Sequence, residues 1–244
     1  MYSTLARFYD AFTENVNYAE RAAYFDALIE KFGTGKGILL DLACGTGTLG
    51  FALERLGYDV IGTDVSEEML DEALAKKVEC GSGIIFLHQD MTALDMYGTV
   101  TATVCALDSI NHLDSLEKVQ KTFERVSLFT EPGGVFIFDV NTLFKHREVL
   151  GNNSFIFENE ECFLAWQNEV NEDNSVDIYL DFFLPEGEGY RRESESFTEY
   201  FYSDEALQAA LGKAGFSLCG IFEDLTLEAP QEQSERKVFV AKKF

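Results

Sequence analysis

The residues best suited to chemistry by type and spacing lie in one run, Leu40-Asp41-Leu42-Ala43-Cys44-Gly45-Thr46-Gly47-Thr48-Leu49-Gly50. Gly45, Gly47 and Gly50 match G-x-G-x-x-G, the spacing with which a chain leaves a strand and enters a helix beside a nucleotide. Gly45 would allow the tight turn, and Gly47 would let a ligand approach the backbone. The helix that follows would present unpaired N–H groups. By itself the match is weak, because an ordinary strand-to-helix turn satisfies it too.

A carboxylate discriminates between the cofactors that use such a loop. A dinucleotide brings a pyrophosphate, which helix N–H groups hold and a nearby anion repels. Asp41 stands just ahead of the glycines, where it would repel a pyrophosphate and suit an ammonium group. S-adenosylmethionine carries an amino group, a sulfonium and one carboxylate, so its net charge is positive and fits that position.

Further candidates follow in chain order. Asp64, with Val65 and Met69 beside it, ends the next apolar run; an acid there accepts both ribose hydroxyls, or else caps the following helix. Asp90 would accept from an adenine amino group while Met91 packs on the ring, unless Asp90 is an ordinary loop acid. Leu107-Asp108-Ser109-Ile110-Asn111-His112 follows a fourth apolar run and is expected to flank the reacting group, since ligands bind outside the carboxyl ends of strands. His112 is the first choice of base, because its ring titrates in the useful range; the alternative is that it orients the loop. Tyr9, Tyr200 and Tyr202 are expected to hydrogen-bond an acceptor, with Asn111 beside it and His146 at the entrance. Trp166 and other aromatics would wall an apolar or cationic acceptor. Arg192 and its neighbour Arg191 would either clamp a substrate carboxylate or form surface ion pairs. His88, inside an apolar run, reads as structural.

These residues need elements to position them. Leu5, Phe8, Tyr9 and Phe12 have helical spacing, and Tyr18, Ala22, Phe25, Ile29 and Phe32 suggest a second amphipathic helix. Strands are then expected at 38–42, 59–64, 84–88, 100–107 and 135–140, alternating with helices at 46–56, 66–77 and 116–129. That alternation implies a mostly parallel, Rossmann-like α/β sheet with helices on both faces, closed by strands at 216–222 and 237–244. Residues 151–203 break the pattern. Val176, Ile178, Leu180, Phe182 and Leu184 alternate with Asp177, Tyr179, Asp181 and Phe183, and Phe197, Glu199 and Phe201 alternate with Thr198, Tyr200 and Tyr202. These read as inserted antiparallel strands. The expected organisation is a cofactor-binding core of residues 1–150 and 204–244, with the insertion over the substrate site.

The motifs together resemble class I S-adenosylmethionine-dependent methyltransferases. Asp41-Leu42-Ala43-Cys44-Gly45-Thr46-Gly47, the acid at 64, Asp90-Met91 and the loop at 107–112 occur in that family's order, over roughly residues 37–140 and the closing strands. The resemblance implies a seven-stranded sheet, S-adenosyl-L-methionine as cofactor, and an in-line methyl transfer to a positioned nucleophile. The opening run from Tyr2 to Asp10 resembles an aromatic lid helix of small-molecule members, implying roles for Tyr2, Tyr9 and Tyr18, unless the helix merely packs. The insertion resembles a substrate-covering sheet; a dimer interface is the alternative, so a homodimer stays open.

Composition bounds the partners. With 43 Asp+Glu against 19 Lys+Arg the formal charge is −24, which disfavours nucleic acid and anionic membranes. The charge supports solubility and an acidic cleft, and an amine-containing small molecule is the first expectation for the acceptor. Five widely spaced cysteines and three histidines offer little for a metal site. A cytoplasmic location follows from the reduced cysteines and from an amino terminus unlike a secretory signal. Two competing readings are a nicotinamide-dependent oxidoreductase, disfavoured by Asp41 and by the lack of a recognisable Tyr-x-x-x-Lys pair, and a non-catalytic cofactor-binding protein.

Overall fold

The computed structural model describes residues 3–244; Tyr2 lies outside them. Two helices come first, α1 (Ser3–Phe12) and α2 (Tyr18–Phe32). The Asn17 side chain accepts the Glu20 amide at 3.2 Å and starts α2, whose Ala22, Phe25, Leu28 and Ile29 are buried. The i, i+3, i+4, i+7 spacing gives α2 one apolar face, and that face fills the core beside the first strand.

The core sheet then builds as β1 (Ile38–Leu42), α3 (Thr48–Arg55), β2 (Asp59–Asp64), α4 (Glu67–Cys80), β3 (Ile85–His88), β4 (Val100–Cys105), α5 (Leu116–Phe129) and β5 (Thr130–Asn141). It closes with α6 (Asp204–Lys213), β10 (Phe216–Glu223) and β11 (Arg236–Lys243). Strand order is β10-β11-β5-β4-β1-β2-β3. β11 lies antiparallel to both neighbours, and the remaining neighbour pairs are parallel. The chain departs in opposite directions from β1 and β4, which leaves a crevice outside their carboxyl ends. Apolar clusters cover both faces, one built on Phe25, Leu28 and Leu39, the other on Phe123, Phe136 and Phe138.

Between β5 and α6 the chain forms a separate antiparallel sheet, β6 (Ser154–Glu158), β7 (Phe163–Val170), β8 (Val176–Glu186) and β9 (Gly189–Glu199), in that order. Val176, Ile178, Leu180, Phe182 and Leu184 are buried, as the alternation predicts, and pack with Phe8 of α1. Several boundaries differ from expectation by one to three residues, β4 among them, which ends at Cys105 rather than 107; two further differences bear on the site. β5 begins at Thr130, so Glu-Pro-Gly-Gly is taken into the strand. β9 stops at Glu199, because the Tyr200 amide bonds the Asn111 carbonyl (2.7 Å) and its carbonyl accepts the Asn111 side chain (2.8 Å).

Candidate active site

The glycine turn sits where β1 ends. Gly47 has φ +75° and precedes α3; a Cβ there would lie 2.8 Å from the Phe86 ring, so only glycine fits. Gly45 lines a cavity and would meet nothing within 4 Å. Gly45 is left-handed (φ +54°), as its expected turn role requires, and it also forms the open edge of the cavity, while Gly47 serves the turn and packing. A Cβ on Gly50 would stand 3.2 Å from Asp41 Oδ2, which keeps room for that carboxylate. Asp41 is buried, and its Oδ2 has no hydrogen-bond partner. Burial, then Asp64, pushes its carboxyl up to about 7, against the Gly50 amide. Asp64 accepts the Gly45 amide at 2.8 Å and the Ser66 amide at 2.9 Å. It thus ties the turn to the start of α4, whose cap is Ser66 itself.

The loop after β4 is held by a buried carboxylate. Asp139 accepts the Leu107 amide at 2.9 Å and the Asp108 amide at 2.7 Å. Arg236 of β11 bonds both Asp139 and Asp108, while Arg21 of α2 lies 3.5 Å from Asp139 and bonds Asp224 with both terminal nitrogens. The burial of Asp108 pushes its carboxyl up, but Arg236, Lys145 and His112 outweigh it and hold the group below the usual carboxylate range.

One cavity of ≈ 390 Å³ joins these parts. At one end are Ala43, Gly45, Asp64, Val65, Met69, Met91, Leu107 and Asp108. At the other are Phe157, Leu164, Trp166, Leu180 and Phe197 of the inserted sheet. Tyr9, Phe12 and Thr13 border it from α1 and the turn after it, and His112, Asn141, Lys145, Glu199 and Arg236 make a polar floor. A smaller recess of ≈ 40 Å³ shares Tyr9 and Gly45 and adds Asp41 and Tyr18; the Tyr18 hydroxyl donates to Thr13 at 3.3 Å. His112 is wetted through the cavity and packs on Phe197, ring centroids 5.1 Å apart. Desolvation lowers its proton affinity, with Asp108 and Asp64 opposing.

Several expected residues lie elsewhere. Asp90 is exposed and caps the turn at Thr92. Asn111 is buried and staples Tyr200 and Asn141 to the loop. Tyr200 is not among the residues that line the cavity, and the Tyr202 hydroxyl is spent on the Leu113 carbonyl. Arg192 pairs with Asp181 on the outer face of the inserted sheet, its side chain 59% exposed. His146 is no entrance residue: the π-helical turn at Lys145–Leu150 buries it completely, with Nδ1 2.8 Å from the Asn174 carbonyl. His88 ends β3, exposed, 2.9 Å from the Val65 carbonyl. Conversely Glu199, Lys145, Arg236 and Asn141 escape a sequence reading. The only signal is that three of them immediately bound a strand end, where side chains reach a sheet's carboxyl edge.

Comparison with known proteins agrees with this geometry. Residues 39–134 match the family model of a methyltransferase domain. YqeM of Bacillus subtilis (strain 168), a protein named as a candidate methyltransferase, is 34% identical over 100% of this chain and 97% of its own. The crystal structure of an S-adenosylmethionine-dependent methyltransferase from Clostridium acetobutylicum ATCC 824 has a TM-score of 0.89 and 30% identity, covering 99% of this chain and 98% of that one. CalS10, an amino pentose methyltransferase of Micromonospora echinaspora with the cofactor bound, shares the fold, with a TM-score of 0.78 and 21% identity over 97% of this chain and 96% of its own. The chain belongs to the S-adenosylmethionine-dependent methyltransferases. It is an enzyme of that class, and S-adenosylmethionine rather than a dinucleotide is its cofactor.

Proposed function

We propose that this methyltransferase acts on a small molecule, most readily an amine, held between the inserted sheet and the carboxyl edge of the core. The observation that carries the reading is the cavity of ≈ 390 Å³, lined both by the glycine turn and by Trp166 and Phe197. That volume suits a compact ligand, and a wall of rings above acidic groups suits a cationic one. CalS10, an amino pentose methyltransferase, shares the fold across nearly its whole length, which supports a small acceptor.

The residues fit the cofactor on their own chemistry. The orphaned Asp41 Oδ2 is a buried anion in want of a cation, which the methionine ammonium supplies. Asp64 keeps lone pairs for the ribose hydroxyls after taking two amides. Val65, Met69 and Met91 offer apolar surface for the adenine, and Leu107 and Asp108 border the methionine side. Tyr9 closes the site from α1. When bound, S-adenosylmethionine supplies an electrophilic methyl carbon. The chain positions the acceptor and excludes water, and His112, neutral near pH 7, orients it.

The enzyme works without nucleic acid and in the cytoplasm, where its free cysteines stay reduced. No helix among the described residues is long and apolar enough to cross a membrane. Calorimetry with S-adenosylhomocysteine, then a panel of amine, carboxylate and phenol acceptors scored by product mass, tests the proposal. Turnover of a protein or nucleic acid acceptor, and of none in the panel, would overturn it.

A further inference from the structure

We propose that Glu199, backed by His146, takes the proton that a protonated amine or a hydroxyl acceptor must lose before it can be methylated. The inference rests on the small-molecule reading above and adds a proton-accepting pair that no motif marks. Glu199 is the last residue of β9, buried, on the floor of the acceptor cavity. Its Oε2 accepts the Asn141 side chain at 2.8 Å. His146 Nε2 lies 3.7 Å from the same oxygen, about 1 Å longer than a hydrogen bond.

The tautomer of His146 can be read from its other side. A backbone carbonyl only accepts, so the 2.8 Å contact to Asn174 places a hydrogen on Nδ1. Nε2 of the neutral ring is then a bare lone pair. It is buried and has no hydrogen-bond partner. A lone pair facing a carboxylate oxygen is unfavourable, and a proton placed between them turns the contact into a hydrogen bond. The pair is therefore built to hold one proton next to the acceptor.

The surrounding charges keep that proton exchangeable. From the loop after β4, Asp108 and His112 bring ligand atoms within 4.8 Å of Glu199 and of one another. Lys145 approaches from the turn after β5, and Arg236 from β11. Burial and then Asp108 push the Glu199 carboxyl up to about 7, against the Asn141 bond, Lys145 and Arg236. Burial lowers the proton affinity of His146, and Lys145 adds to this; the Asn174 bond and Asp108 oppose. The Arg236 guanidinium on Asp108 and the nearby Lys145 disfavour a metal ion in the same space.

The step balances simply. An N–H bond of the acceptor's ammonium form, or the O–H bond of a hydroxyl acceptor, breaks; its electron pair stays on the acceptor as the nucleophile, and the proton bonds to Glu199. The carboxylate becomes a neutral acid that donates to His146 Nε2. The proton returns to solvent through the cavity mouth before the next turnover. Glu199 is the catalytic residue in this scheme, and His146 is a positioning residue.

The test uses the full chain loaded with S-adenosylhomocysteine. Carboxyl 13C and imidazole 15N resonances are followed from about pH 5 to about pH 9 in the wild type, Glu199→Gln and His146→Gln. The Glu199 carboxyl is expected to titrate near neutrality, and the His146 Nε2 resonance to move when Glu199 becomes Gln. With the best acceptor of the panel, kcat rises with pH through that range in the wild type. Glu199→Gln lowers kcat by about 100-fold or more with little change in KM and abolishes that rise, whereas His146→Gln displaces it along the pH axis. A Glu199 that titrates below about pH 5, or a Glu199→Gln enzyme with wild-type kcat, overturns the inference. Failure to bind S-adenosylhomocysteine would remove the preceding reading instead, so the two failures are told apart.

Discussion

Asp139 sets the position of Asp108. Oδ1 of this fully buried carboxylate accepts the Asp108 backbone amide at 2.7 Å, and Arg236 bridges the two side chains. Leu107 and Asp108 both have φ of 55°, a conformation that disfavours side chains such as leucine. Two amide bonds to Asp139 hold that strained pair where the cavity needs it. The same carboxylate lies 3.5 Å from Arg21, so α2 is tied to the loop by charge as well as by packing.

Asp139→Asn should therefore cost stability and activity together. It leaves Arg236 and Arg21 short of a buried counter-charge, worth about 3–5 kcal/mol when one partner of a buried pair is removed. Chemical denaturation at neutral pH measures the loss, and an unchanged midpoint would contradict the assigned clamp.

Asp41→Asn separates stability from function. The carboxyl is raised to about 7 in the fold from 3.8, so the folded state binds the proton more tightly than the unfolded one. The contribution of Asp41 to stability in the absence of ligand is thus greatest at low pH and declines as pH rises from about 4 to about 7. At pH values above that window the asparagine variant should be more stable by about 1–2 kcal/mol, roughly 3–6 °C, the amide left buried offsetting part of the gain. It should bind S-adenosylhomocysteine at least about tenfold more weakly. Wild-type affinity should fall as pH drops through about 7, a dependence the variant should lack. Thermal melts and calorimetry over pH read both.

Trp166→Leu tests how the cavity is divided. The ring stands in the acceptor end, packed on Phe155 at 5.4 Å and Phe157 at 6.2 Å between centroids. KM for the acceptor should rise several-fold, while the cofactor Kd stays the same. A parallel loss of cofactor affinity would place Trp166 against the wrong ligand.

Arg192→Ala should change neither the cofactor Kd nor the acceptor KM. The guanidinium pairs with Asp181 in solvent, and such pairs contribute about 0–1 kcal/mol. An elevated KM would return this residue to the substrate site.

Local pattern carried a good part of the site. The glycine run, the acid ahead of it and the acid after β2 are legible because strand, turn and helix follow within a few residues. β1 and β2 stand at 38–42 and 59–64 as their apolar runs predict. The alternation from Val176 to Leu184 likewise assigns the buried face of β8, since the period of two is a property of the backbone.

The floor of the cavity belongs to tertiary structure alone. Asp108 and Arg236 meet across 128 residues, and Asn141 and Glu199 across 58. Nothing local distinguishes Glu199 from the many other acids of a chain with 43, nor Arg236 from the arginines that pair in solvent. Alternation could not show that β9 ends at Glu199, because the stop is imposed by Asn111 capturing the Tyr200 backbone. That stop takes Tyr200 and Tyr202 out of the site and leaves Glu199 facing His146. Periodicity assigns faces to an element, whereas the meeting of charges depends on which elements the sheet order brings to one edge.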